Sequence, residues 1–364
     1  MTSRAGGIGG LTGPANEPGL GAGGRTLLFL GDCYPVTGRR VELPTDAPFV
    51  INLDAALRGG TPARGKVVLL LDDLDLGACF GSVPIAVNLA NNHATDGGEE
   101  GFVRLLDSLH SQGARFFGAG LPADRWNNPA VVTIGGRRVS LFGYCAEEAD
   151  PVFGPGLGPA PLDLDVVRND LAGGEAGSYK IVCVHWGFEE ASIPRWEDYE
   201  RAAAIVESGA DAVVGCHSHC IQPITEIAGA VVAFGLGNAC FGDIDLPSDY
   251  GEDGVPRRRF VKRQLAWNRQ SVALEVDLAT GAHTAWPMVQ RGATTRSGRG
   301  AYHRLIELDP FSDRALYERL ARRDELRRAR RAMLSRFLAR PRVPKPSTIL
   351  AALGFRRGRG PGRA

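Results

Sequence analysis

The sequence has no apolar run that approaches the length of a membrane-spanning helix, so a soluble chain is expected. It has no C-x-x-C spacing, and its seven cysteines are odd in number, with several inside apolar runs. That argues against a disulfide framework and for reduced, buried thiols in a cytoplasmic protein. It also lacks G-x-S-x-G, a G-K-[ST] loop and H-E-x-x-H, which leaves no sign of a serine hydrolase elbow, a phosphate-cradling loop or a helical zinc-protease site. Histidine is scarce too, at seven residues. The net charge is only +1, but it is unevenly spread. From Arg322 onward 13 Arg and one Lys face Asp324 and Glu325, a balance of +12, which leaves −11 on the rest. An acidic body with a basic end does not describe a nucleic-acid-binding fold.

What is present is a set of short apolar runs that end in polar residues. Thr26–Leu30 leads into Gly31-Asp32, Pro48–Leu53 into Asp54, and Pro84–Leu89 into Ala90-Asn91-Asn92-His93. Lys180–Val184 leads into His185, and Asp211–Cys216 into His217-Ser218-His219. Further strands are expected at 67–71, 130–134, 139–144 and 231–236. An edge strand is expected at 271–278, where apolar and polar residues alternate. Helical spacing appears from Asp96 to Gly113, at 162–172, at 196–208 and at 311–338. Strands interleaved with helices predict an α/β fold with more than one sheet. The expected organisation is a Gly-rich leader over 1–24, one body over 25–310, a basic amphipathic helix over 311–340 and a basic tail over 341–364.

A buried parallel strand reads as continuous apolar sequence, and ligands bind just beyond its carboxyl end. Carboxylates, side-chain amides and imidazoles at several such ends suit Mn, Fe or Zn ions better than a thiolate zinc site does. Each residue has a plain alternative. A lone Asp after a strand is usually a turn residue or cap, and a lone His is usually hydrogen-bonded structure. The joint pattern of Asp32, Asp54, Asn92, His93, His185, His217 and His219 is what points to a metal or acid–base site. His110, His283 and His303 are assigned structural roles.

In order, Phe29-Leu-Gly-Asp32, Asn52-Leu-Asp54, Leu89-Ala-Asn-Asn-His93-Ala-Thr-Asp96, His185-Trp-Gly-Phe-Glu189, Gly209–His219 and Gly235-Leu-Gly-Asn-Ala-Cys-Phe241 resemble the bacterial capsule-synthesis proteins of the poly-γ-glutamate CapA type, within the calcineurin-like metallophosphoesterases. The resemblance implies a two-sheet α/β/β/α sandwich with a di-metal centre at the strand ends. Asp32 and His219 would serve one ion, Asn92, His185 and His217 the other, with Asp54 bridging and His93 beside the leaving oxygen. The chain departs from the pattern in having Asp at 54 where the family usually has Glu. It also has Cys33-Tyr34 after Asp32, where the wider superfamily has D-x-H.

The implied function is metal-dependent phosphoester hydrolysis tied to an anionic polymer, on a small-molecule or polymer substrate and without nucleic acid. The alternatives are a non-catalytic accessory to polymer synthesis or export, and a metal-dependent amide hydrolase. The basic helix over 311–340 suggests peripheral contact with an anionic membrane from the cytoplasmic side.

Overall fold

A computed structural model of the chain describes residues 24–120, 129–149, 151 and 156–339. The expected leader apart from Gly24 and the expected tail lie outside these residues. The fold is mixed α/β and rests on two main sheets.

The first sheet has nine strands. Its path runs Arg40–Val41, Thr294–Ser297, His283–Arg291, Gln270–Asp277, Thr26–Cys33, Phe49–Leu53, Ala86–Asn88, Arg115–Phe117, and Asn238–Cys240 pairs Thr26–Cys33 off that path. The second has six strands, ordered Ile224–Ile227, Ala230–Ala233, Ala212–Cys216, Tyr179–His185, Arg137–Cys145, Ala130–Ile134. In both, the strands that end in site residues are parallel neighbours. Their carboxyl ends therefore lie side by side.

Successive residues of a strand point to opposite faces. Leu27 and Phe29 enter one apolar cluster with Val139, Leu141, Ile181 and Val214 of the other sheet, while Leu28 and Leu30 enter another with Phe102, Leu105 and Leu109. The last three lie on the helix Gly98–Ser111 at helical spacing, and burying each contributes about 1.5–3 kcal/mol. The second sheet's other face, with Tyr144, Val182 and Val184, packs on Val167 and Leu171 of Leu164–Gly173 and on Ala202 and Ile205 of Trp196–Glu207. The two sheets thus share one core, and each carries helices on its far side.

Two expectations need correction. Gln270–Asp277 is no edge strand: it lies between Thr26–Cys33 and His283–Arg291, antiparallel to both. Its alternation reflects two differently packed faces, not one wet face. Of 67–71, only Leu70–Leu71 is a strand.

The C-terminal helix, Arg314–Ala339, meets the body through Tyr317, which lies on Trp196 and Phe311, and through Asp324 and Arg331, which are buried, whereas Leu326, Leu334 and Phe337 are exposed. The reason is the loop beneath. The Asp324 carboxylate accepts from the backbone N–H of Ser192 and Ile193, at 2.8 and 3.3 Å, and Arg331 donates to the Glu190 carbonyl and the Ser192 hydroxyl, at 3.0 and 2.9 Å. Loop backbone needs polar partners, and this helix supplies them. No helix of the described residues is long and apolar enough to cross a membrane.

Candidate metal centre

Asp32 is placed by an irregularity in its strand. The register against Phe49–Leu53 shifts between Leu30 and Asp32, and Gly31 there lies so close to its neighbour that a Cβ would stand 1.9 Å from the Gly237 carbonyl oxygen. The shift aligns Asp32 with Asn52 on one side and Asn238 on the other. Asn52 Nδ2 donates to Asp32 Oδ1 at 2.7 Å, and the backbone N–H of His217 donates to the same carboxylate at 3.2–3.3 Å.

His217 and His219 follow the strand Ala212–Cys216 with φ of 91° and 54°. Such left-handed conformations in non-glycine residues cost about 1–3 kcal/mol each and collect at functional sites. The turn brings both rings back over the strand ends. His217 Nδ1 lies 3.0 Å from His185 Nε2, and that nitrogen is also 3.0 Å from Asn92 Oδ1. Asn238 Oδ1, at 2.9 Å, takes the Nδ1 proton of His219. That leaves His219 Nε2 turned toward Asp54, 3.8 Å from its Oδ2.

Asp54 carries the argument for a cation. It is fully buried, and neither carboxylate oxygen has a hydrogen-bond partner. His185 Nε2 lies 3.9 Å from its Oδ1. One ligand atom each from Asp32, Asp54 and His219 can be chosen within 4.8 Å of one another. A buried carboxylate facing lone pairs is costly unless it is protonated or coordinated. Burial, then the neighbouring Asp32, pushes the Asp54 carboxyl well above its ordinary range, and burial likewise raises Asp32. Burial drives His185 well down and His217 down to about 3. The imidazoles of His185 and His217 held neutral, beside Asp32 and an unpartnered Asp54, form a donor set that fits a divalent metal.

His93 belongs to a neighbouring chain of contacts. Its Nδ1 lies 2.5 Å from Asp96 Oδ2, and Lys66 Nζ lies 3.1 Å from Asp96 Oδ1 and donates to the Asn92 carbonyl. Burial lowers the His93 imidazole against the pull of Asp96. Burial alone would raise Asp96, but His93 and Lys66 hold it below its ordinary value. Lys66, Asn92, His93, Glu148, Phe188 and His217 line a cleft of about 330 Å³. Asp96→Ala would leave Lys66 and His93 buried without their acid. A loss of about 3–5 kcal/mol in stability is expected, measurable by denaturant unfolding; a loss below 1 kcal/mol would refute the pairing.

All seven site residues expected from the sequence therefore meet at one end of the two sheets. Several residues that hold them were not foreseen. Asn52, Asn238, Lys66 and Asp96 are chief among these, and Asn88 supports Asn52 at 3.0 Å. Asn52 and Asn238 stand inside motifs already singled out, but as neutral amides they gave no separate signal. The three histidines set aside lie elsewhere: His303 is buried with its ring nitrogens on the backbone of Gly300 and Ser271, and His110 is exposed. Arg195, near the cleft wall, pairs with Glu148 and Asp198. All seven cysteines are buried and unbridged.

Comparison with known proteins adds the family. Over 172 residues the chain is 30% identical to the PGA biosynthesis protein CapA of Bacillus subtilis, covering 43% of this chain and 42% of that protein. It is 30% identical over 169 residues to a probable polyglutamine synthesis accessory protein of Mycobacterium tuberculosis, covering 43% and 44%. It is 28% identical over 162 residues to the capsule biosynthesis protein CapA of Bacillus anthracis, covering 43% and 39%. Each alignment spans less than half of the relative's own length. The model of the bacterial capsule synthesis protein family PGA_cap matches residues 37–243, and the chain belongs to that family.

Proposed function

We infer that the protein is a divalent-metal-dependent phosphoester hydrolase acting in the synthesis of an anionic polymer of the polyglutamate kind. The observation that carries this reading is the buried Asp54 carboxylate, with both oxygens unpartnered beside Asp32 and His219. The layered sheets fit the calcineurin-like sandwich. Asp32 and His219 would hold one ion, Asn92, His185 and His217 a second, with Asp54 between them. The N/O donor set suits Mn, Fe or Zn. Bound there, a divalent cation supplies a Lewis acid toward phosphoryl oxygen and makes water acidic near neutral pH.

The chain's own residues do the rest. Asn52 and the His217 N–H fix Asp32, and Asn238 fixes the His219 ring. With its Nδ1 proton on Asp96, His93, which lines the cleft, turns Nε2 out as a lone pair that can take a proton from the attacking water and then pass it to the leaving oxygen. Lys66 steadies Asp96 and places a cation at the cleft wall.

With Mn²⁺ added, the purified protein is expected to bind metal and to hydrolyse a generic phosphomonoester or phosphodiester. His93→Ala should cut kcat about 10²–10⁴-fold while metal content stays unchanged. A variant that keeps full activity would remove His93 from the mechanism. The second reading, a polymer-synthesis accessory without catalysis, is favoured by the name of the Mycobacterium tuberculosis relative. Stoichiometric metal with no turnover of phosphoesters or γ-glutamyl amides would select it, and turnover of the amides alone would select an amide hydrolase. We place the protein on the cytoplasmic side.

A further inference from the structure

We propose that the cleft between the C-terminal helix and the Ala301–Leu305 turn receives the phosphate head groups of an anionic lipid surface. The cleft, of about 390 Å³, is lined by Arg304, Arg327, Arg330 and Arg331 together with Trp267 and Tyr302, and none of its lining residues is acidic.

Arg331 is built into the base of the cleft. It is only 8% exposed, it donates to the Glu190 carbonyl and the Ser192 hydroxyl, and its guanidinium lies 4.9 Å over the Trp267 ring and 5.6 Å over that of Tyr302. These contacts hold the guanidinium in place as a fixed positive charge at the base of the cleft, and a guanidinium suits phosphate. Arg304 and Arg327 stand exposed on the rim.

The apolar side chains of the same helix select a lipid over a soluble anion. Leu326, Leu334 and Phe337 are 42%, 43% and 38% exposed, and Leu334 itself lines the cleft. Their spacing sets them along one side of the helix. Arg330, four residues from both Leu326 and Leu334, shares this side with them, and at a membrane interface such outward apolar side chains enter the acyl boundary while the cations meet head-group phosphate. A free phosphate or a dissolved polyanion would leave the apolar side chains in water. This site shares no residue with the metal centre, so either reading can fail without the other.

The test is co-sedimentation of the full chain with phosphatidylcholine vesicles, with and without phosphatidylglycerol. Binding is expected only to the anionic vesicles. The Arg304→Gln/Arg327→Gln variant should lose about 30-fold in partition constant, and Leu334→Ser should also weaken binding. Arg356→Gln/Arg357→Gln, in the basic sequence beyond the helix, should cost less than the cleft pair. Circular dichroism and metal content, unchanged in each variant, show that the fold is retained. Unchanged binding in the cleft variant would overturn the proposal, as would equal binding to neutral vesicles. So would binding of inorganic phosphate or poly-γ-glutamate that is lost in the cleft variant while vesicle binding persists.

Discussion

Asp54→Asn protein is expected to unfold at a higher temperature than the wild type when both are metal-free, and to gain nothing from added Mn²⁺. The two effects have one cause. In the wild type both carboxylate oxygens of Asp54 are buried without a partner. Leaving a buried polar group unsatisfied costs about 1–3 kcal/mol, and more when it is charged. Asparagine removes the charge and keeps the shape. The sign with pH follows from the raised carboxyl. Below the ordinary value of 3.8 the acid is protonated in folded and unfolded chains alike, and no penalty applies. As pH rises from there through the raised folded value, the unfolded chain ionises first and the wild type loses stability. The gap between variant and wild type should therefore widen with pH. Metal reverses the order, because at 100 times its dissociation constant a ligand adds about 2.7 kcal/mol to a protein that binds it. Differential scanning calorimetry with and without Mn²⁺ reads both effects. A metal-free variant less stable than the wild type, or one still stabilised by Mn²⁺, would remove Asp54 from the centre.

Gly31→Ala should be the most damaging single methyl in the chain's first strand. Its Cβ would stand 1.9 Å from the Gly237 carbonyl oxygen and 3.1 Å from the Leu236 Cβ. The first of these neighbours is backbone, held in place because the Asp32 N–H donates to that same carbonyl at 3.0 Å. Overpacking a rigid site typically costs about 1–3 kcal/mol, and here the backbone itself must move, so at least about 3 kcal/mol is expected. Any shift also carries Asp32 away from Asn52 and His217. Metal affinity should fall together with stability, whereas a core truncation such as Leu105→Ala should lower stability alone. Urea unfolding beside metal titration distinguishes them. A Gly31→Ala protein with wild-type stability would mean that the strand is not locked at this point.

The parts of the molecule that were legible in the sequence share one physical property. Strands buried on both faces, such as Thr26–Cys33 and Tyr179–His185, read as unbroken apolar runs, and the polar residue ending each run marks the site. Asp32, Asp54, His185, His217 and His219 were found that way. Elements whose pattern is set by a partner were not legible. The hairpin of Ile244–Tyr250 and Pro256–Lys262 carries Asp245, Arg258 and Arg259 and has no apolar run to announce it. Gln270–Asp277 looked half-wet because its second face is met by side chains remote in sequence: Ala273 joins the cluster of Leu28 and Leu30, and Glu275 accepts from Thr26 and Trp286. Asp96 looked like a helix start, although it is a buried acid on His93, because one carboxylate before a helix serves either role. The C-terminal helix was legible as a helix but not in its facing, since its inward charges answer loop N–H groups that no periodicity encodes.

The centre draws its side chains from both sheets, and the Asp32 carboxylate meets the N–H of a residue 185 positions later. The donors run from Asp32 to His219, and both carboxylates lie more than a hundred positions from every histidine donor. An ion therefore has no local segment on which to nucleate folding, unlike the metal in a zinc finger. It is captured only after the long-range pairings have formed, and those are the slow ones. Refolding rate should then be indifferent to metal, while unfolding is slowed by it.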